Sequence, residues 1–231
     1  MKTYENFIQG ELEIHIKKQM NLIRTWFSAM KNHNINTMNE FIEDGFDINI
    51  LDANGNNALC YASTEMCKIL IDNGIKLIDN AWFQFAYNGN LEMLKVFIDK
   101  GFNINVTDEF GRNVIALAYI HKHVSVANYL IKIGVDINNI NDAGSTILMR
   151  CCMINVVDPC KLIKMGANAS IKNRIGKTCI DYGNKVWKQF KVQDCLCEYQ
   201  PENMYLLKDI ALPEIRKKYD EFFNMSDIGL F

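Results

Sequence analysis

Residues 98–108 read IDKGFNINVTD, and closely related endings recur at IEDGFDINILD (42–52), IDNGIKLIDN (71–80), IKIGVDINNIND (131–142) and IKMGANASIKN (163–173). In each, an apolar run of helical spacing meets a glycine, and an alternating segment follows. The glycines Gly45, Gly74, Gly101, Gly134 and Gly166 lie 29, 27, 33 and 32 residues apart. A repeat of that length marks an array of stacked units, each unable to bury its apolar face alone. Glycine suits the position after a helix end, where the backbone turns to positive φ and a β-carbon is costly. Leu94, Phe97 and Ile98, then Tyr129, Leu130 and Ile133, recur at helical spacing as a core face. The alternation of Phe102 with Ile104 and of Val135 with Ile137 predicts one apolar side on a short extended strand.

A second motif follows each ending except the one at 71–80. Asp52-Ala-Asn-Gly55, Asp108-Glu-Phe-Gly111, Asn141-Asp-Ala-Gly144 and Asn173-Arg-Ile-Gly176 share the form D/N-x-x-G, and Thr146 and Thr178 stand two residues after the last two glycines. Together with Gly89-Asn-Leu-Glu92 leading to Gly101, these motifs resemble the ankyrin repeat, without its usual Pro and His. The resemblance implies an all-α repeat solenoid of stacked helix-turn-helix units with short β-hairpin-like fingers and helical caps at both ends. A degenerate first unit is expected at about 20–51, with Trp26, Phe27, Met30, Met38, Phe41 and Ile42 inward. Regular units follow at about 52–78, 79–107, 108–140 and 141–172, and a terminal unit fades after Tyr182. The second unit has little room for a loop between its helices, and the third lacks a D-x-x-G turn, which places Trp82 and Phe83 in the core. Residues 1–19 are expected to form an N-terminal capping helix and 183–231 a helical C-terminal cap or tail.

Composition narrows the function. Hydrophobic residues make up 49%, charged residues 23%, and the net charge is −2, so the electrostatic footprint of a nucleic-acid binder is missing. No apolar run reaches membrane-spanning length, and residues 1–19 lack the apolar block of a signal peptide. Of the eight cysteines, Cys60, Cys67, Cys151 and Cys179 fall in apolar helical patterns, where a reduced thiol behaves as a small hydrophobe. The expected compartment is therefore reducing and intracellular: the cytoplasm, or the host cytoplasm for a viral or pathogen protein. Heavy use of Asn, Ile and Lys with scarce Pro is read as the mark of an AT-rich genome.

No phosphate loop, dinucleotide fingerprint, nucleophile elbow or zinc-protease helix occurs. His121 and His123 stand where the resemblance places a loop between helices, and no cysteine pair with zinc-knuckle spacing accompanies them. Neither a cofactor nor a catalytic residue is expected, and the chain reads as a non-enzymatic module that binds a partner protein. The ankyrin resemblance implies contact through hairpin tips and the exposed, concave side of the first helices. Residue by residue, that points to Asn54, Asn56, Glu109, Phe110, Arg112, Asp142, Ser145, Arg174, Ile175 and Lys177 on the fingers. On the helices it points to Tyr87, Asn88, Ile120, His121 and Met153. Phe110 and Ile175 stand out as apolar side chains in slots that normally face solvent. Residues 210–219, IALPEIRKKY, resemble two short motifs. One ends the SOCS box, which recruits Elongin and a cullin ubiquitin ligase; the other belongs to the truncated F-box of poxvirus ankyrin proteins. That resemblance implies a substrate adaptor with a ubiquitin-ligase subunit as second partner, while the alternative is a pair of capping helices.

Overall fold

The computed structural model describes the backbone of residues 2–154 and 158–182, and the side chains of 11–153 and 158–182. Its helices are α1 (Lys2–Lys31), α2 (Ile35–Glu43), α3 (Thr64–Asp72), α4 (Asp79–Asn88), α5 (Leu91–Asp99), α6 (Val114–Ile120), α7 (Val124–Lys132), α8 (Ile147–Ile154), α9 (Pro159–Lys164) and α10 (Cys179–Tyr182). A 3₁₀ turn at Ala58–Cys60 takes the place of one helix. The chain divides into two compact units: residues 1–85 with 90–102, and residues 86–89 with 103–231.

The repeated glycine does what its position suggests. At Gly45, Gly74, Gly101, Gly134 and Gly166, φ lies between 72° and 96°. In all five, the N–H after the glycine reaches back to a carbonyl five residues earlier, as Phe102 does to Phe97 at 3.0 Å and Val135 to Leu130 at 3.1 Å. This is the Schellman closure of a helix end. The segments that follow alternate in burial as expected, Val135 and Ile137 pointing inward. They form tight turns instead of strands, and no strand occurs among the described residues. Three or four residues per segment are too few to build a ladder.

Unit one holds α1 to α3, most of α4, and α5. Trp26, Met30 and Met38 are fully buried where α1 meets α2, with Phe27 nearly so. Phe41 and Ile42 are half-buried. α1 runs unbroken through residues 19 and 20, because nothing between Glu11 and Lys31 is a helix breaker. The first helix of the repeat beginning at residue 52 has shrunk to the 3₁₀ turn, and α4 starts without a finger before it. Trp82 and Phe97 are fully buried there, in a cluster with Phe85 and Phe102 whose ring centres lie 5.1 to 6.1 Å apart.

Unit two holds the complete repeats. α6 packs on α7 and α8, and α8 on α9 and α10. Its core is mostly aliphatic: Ile115, Leu117, Val126, Leu130, Leu148, Leu162 and Ile163 are buried.

Asparagine has a structural use in both units, which corrects its reading as a genomic bias alone. Buried Asn57 accepts the Leu59 N–H at 3.2 Å and donates to the Lys76 carbonyl at 2.8 Å. Buried Asn113 likewise accepts the Ala116 N–H at 3.2 Å and donates to the Asp136 carbonyl at 2.6 Å. Each caps the start of a helical turn and ties it to the following hairpin segment, satisfying backbone groups that water cannot reach.

Candidate functional site

The D/N-x-x-G motif is a side-chain-closed turn. Asp52 Oδ1 accepts the N–H groups of Asn54 and Asn56 at 2.8 and 3.0 Å, and Asp108 Oδ1 accepts those of Phe110 and Arg112, both at 2.9 Å. Asn141 does the same for Ala143 and Ser145, and Asn173 for Ile175 and Lys177. Asp and Asn are interchangeable in this role because only one acceptor oxygen is used.

In unit two the fingers at 108–112, 141–145 and 173–177 are tied in sequence. The Asp142 N–H donates to the Phe110 carbonyl at 3.0 Å, and the Arg174 N–H to the Ala143 carbonyl at 3.4 Å. A β-carbon on Gly144 would sit 2.7 Å from the Arg174 nitrogen, and one on Gly111 3.0 Å from the Asp142 nitrogen. These two glycines therefore serve both a positive φ and the approach of the next finger.

Beside this row lies a groove of about 400 Å³. Phe110 and Arg112 of one finger and Ala143 and Ser145 of the next form its edge. Ala116 and Ile120 of α6, Arg150 and Met153 of α8, and Tyr182 of α10 are among the other residues that line it. Phe110 and Met153 are 53% and 52% exposed. Arg112 grips Asp108 through Nε and Nη2, both at 2.7 Å, and its guanidinium carbon lies 4.7 Å from the Phe110 ring centre. That stacking holds the Phe110 ring in place. Arg150 is exposed and has no ion pair among the described residues.

The structure thus gathers five of the expected residues, Phe110, Arg112, Ile120, Ser145 and Met153, on one groove. Tyr87 and His121 form a separate contact, ring centres 3.9 Å apart, with Asn88 exposed next to it. His123 donates its Nε2–H to the Tyr87 carbonyl at 2.9 Å. Burial, then the charges of His123 and Arg112, hold the His121 pKa below its usual value. Glu109 and Asp142 are exposed on finger tips, as are Arg174, Ile175 (70% exposed) and Lys177, all outside the groove lining. Asn54 is exposed on the single finger of unit one, whereas Asn56 is engaged with Tyr61 and Asn80. Sequence reasoning missed Ala116, Arg150 and Tyr182, whose neighbourhood depends on how successive repeats stack.

The chemistry of the remaining groups is quiet. Burial pushes the thiols of Cys60, Cys67 and Cys151 up to about 12, far from a reactive thiolate. The hydrogen bond with Cys179, together with burial, also raises Cys152. No three His, Cys, Asp or Glu side chains gather as a metal-ligand set among the described residues. No helix among them is long and apolar enough to cross a membrane. The motif at 210–219, on which the adaptor reading rests, lies outside the described residues.

Comparison with known proteins agrees with this geometry. The family described as "Ankyrin repeats (3 copies)" matches residues 82–173. A fowlpox virus (strain NVSL) protein named for its ankyrin repeats is 29% identical over 136 residues, covering 55% of this chain and 32% of its own. One from Acanthamoeba polyphaga mimivirus is 32% identical over 119 residues, covering 50% of this chain and 32% of its own. The chain thus spans about a third of the length of these curated relatives. A crystal structure of an ankyrin repeat domain from Acinetobacter baumannii AYE superimposes with a TM-score of 0.60 at 20% identity, covering 74% of this chain and 93% of that one. Ankyrin repeats are a non-catalytic fold that mediates protein–protein interaction. With their Schellman-closed helices and side-chain-closed fingers, residues 82–173 match the ankyrin-repeat family, and the chain is similar to these viral ankyrin-repeat proteins.

Proposed function

We propose that the chain is a non-enzymatic binding module whose working surface is the groove of unit two, and that it takes an extended peptide segment pairing an apolar side chain with a carboxylate. The observation that carries this is the groove itself: Phe110 and Met153 half exposed, with Arg150 in the same lining and in no ion pair among the described residues. Exposed apolar anchors ringed by polar groups are what protein interfaces are built on. Asp108 already neutralises Arg112, so Arg150 is the cation left for a partner's acid. The protein would work in the cytoplasm, of a host cell if its origin is viral like that of the fowlpox and mimivirus relatives.

Selection of a displayed library of random dodecapeptides on the full chain tests this. Selected peptides are expected to carry Asp or Glu close to an apolar residue, and to bind a Phe110→Ala/Met153→Ala variant about tenfold more weakly or worse. Arg150→Glu is expected to discard acidic peptides and favour basic ones. Peptides that bind both groove variants as well as the parent chain would refute the site.

A further inference from the structure

α1 carries an apolar stripe at Leu12, Ile16, Met20, Ile23, Phe27 and Met30, all on one helix face by their spacing of three and four. Its second half is used, since Phe27 and Met30 are buried where α1 meets α2. Its first half is bare: Leu12, Ile16 and Met20 are 56%, 47% and 48% exposed. The bare part runs into a hollow of about 540 Å³ between α1 and the finger at 52–56, floored by Ile23, Phe27 and Leu51 and edged by Arg24 and Lys31. We propose that a second copy of this chain covers the stripe, with the two α1 helices packed antiparallel about a two-fold axis.

Charge chooses both the occupant and the direction. Glu11 and Glu13 precede Ile16, and Lys17, Lys18 and Arg24 follow it. None of the first four holds an ion pair among the described residues. Glu13, Lys17 and Arg24 stand at i, i+4 and i+11, so they share one edge of the stripe. In an antiparallel two-fold pair that edge faces its own copy run in reverse, which sets Glu13 of each copy against Lys17 of the other. A parallel pair would set this edge against the opposite one, where Gln19 offers neither Glu13 nor Lys17 a partner of opposite charge. Around a centre near Ile16, Leu12 lies over Met20 of the second copy, Glu13 comes within one turn of its Lys17, and the start of each α1 reaches the level of the other's hollow. The interface is then isologous and closes as a dimer.

Sedimentation velocity of the full chain across micromolar concentrations tests the pairing. The chain is expected to dimerise, and Ile16→Asp to weaken dimerisation about tenfold or more, with an unchanged thermal midpoint at dilutions where both chains are monomeric. Glu13→Lys and Lys17→Glu are each expected to weaken self-association by aligning like charges. An equimolar mixture of the two is expected to regain the dimer, because the paired lysines on α1 of the first variant then meet the paired glutamates on α1 of the second. A chain that stays monomeric, as it would if its own residues 183–231 covered the stripe, overturns the proposal. So does a dimer indifferent to Ile16→Asp, or a mixture that does not recover.

Discussion

Unit one and unit two solve the same problem differently. In unit two a finger is followed by another finger, whose backbone N–H meets the carbonyls left over by the first. In unit one the finger at 52–56 has no successor, and the side chain of Asn80 takes that place. Its Nδ2 reaches the carbonyls of Asn54 and Gly55 at 3.3 and 3.2 Å and Asn56 Oδ1 at 3.0 Å. A single amide thus ends a row that a D/N-x-x-G turn would have extended. The row of fingers beside α6 and α8, and with it the groove, belongs to the region where the repeat kept its full length. Spacings of 29 and 27 residues against 33 and 32 record the same difference in the sequence.

Replacing the aromatic cluster of unit one should have the largest effect. Phe97→Ala removes a fully buried ring in contact with Trp82, Phe85 and Phe102. It is expected to cost about 3–5 kcal/mol in urea unfolding. The paired caps come next. Asn57→Ala and Asn113→Ala break equivalent bonds in the two units, and each is expected to cost about 2 kcal/mol, by lost capping and an unpaired carbonyl. A large inequality between them would show that the units do not share this device.

The glycines separate the units more sharply. Gly55 and Gly144 have nearly equal φ, 74° and 75°. A β-carbon on Gly55 would meet only the Asn80 side chain at 3.7 Å, whereas on Gly144 it would strike the Arg174 backbone. Gly55→Ala is expected to cost about 1 kcal/mol for the strained φ, and Gly144→Ala measurably more, by thermal denaturation.

Acid should affect the Asp-closed finger of unit one. Burial tends to raise the Asp52 pKa, but hydrogen bonds from Tyr61 and from the N–H groups of Asn56 and Asn54 outweigh it and leave it below 3.8. A carboxyl depressed in the folded state contributes stability that is whole above its unfolded pKa and is lost as pH falls through the lower folded value. The urea midpoint of the parent chain is therefore expected to fall below about pH 4 more steeply than that of Asp52→Asn, which keeps the acceptor without the charge. The smallest effect belongs to Lys68→Ala. Its ion pair with Glu92 is exposed on both sides, and no change in midpoint is expected.

Most of the fold was legible because its signals are local. A glycine after a helix and an acceptor three residues before a turn glycine carry their meaning within a few residues, wherever the chain goes next. Trp82 and Phe83 could be placed inside because the missing turn left no finger to hold them outside. α1 was less legible: its charged first half resembled a separate cap, and only the lack of a breaker pointed to one helix. The asparagines escaped notice because their partners, Lys76 and Asp136, lie 19 and 23 residues away. For the groove, Phe110 and Met153 were readable as apolar residues on outward positions. Ile175 met the same criterion and stands on a finger tip outside the groove, since exposure alone does not tell which neighbours a side chain shares.

The central claim is that the partner seats in the groove of unit two and not on the finger of unit one. Photocrosslinking of a selected peptide tests it most directly, with a photoreactive side chain introduced in place of Met153 in one sample and of Asn54 in another. Covalent capture from position 153, competed by unlabelled peptide, and none from position 54 is the expected result. Capture from position 54 with none from 153 would contradict it.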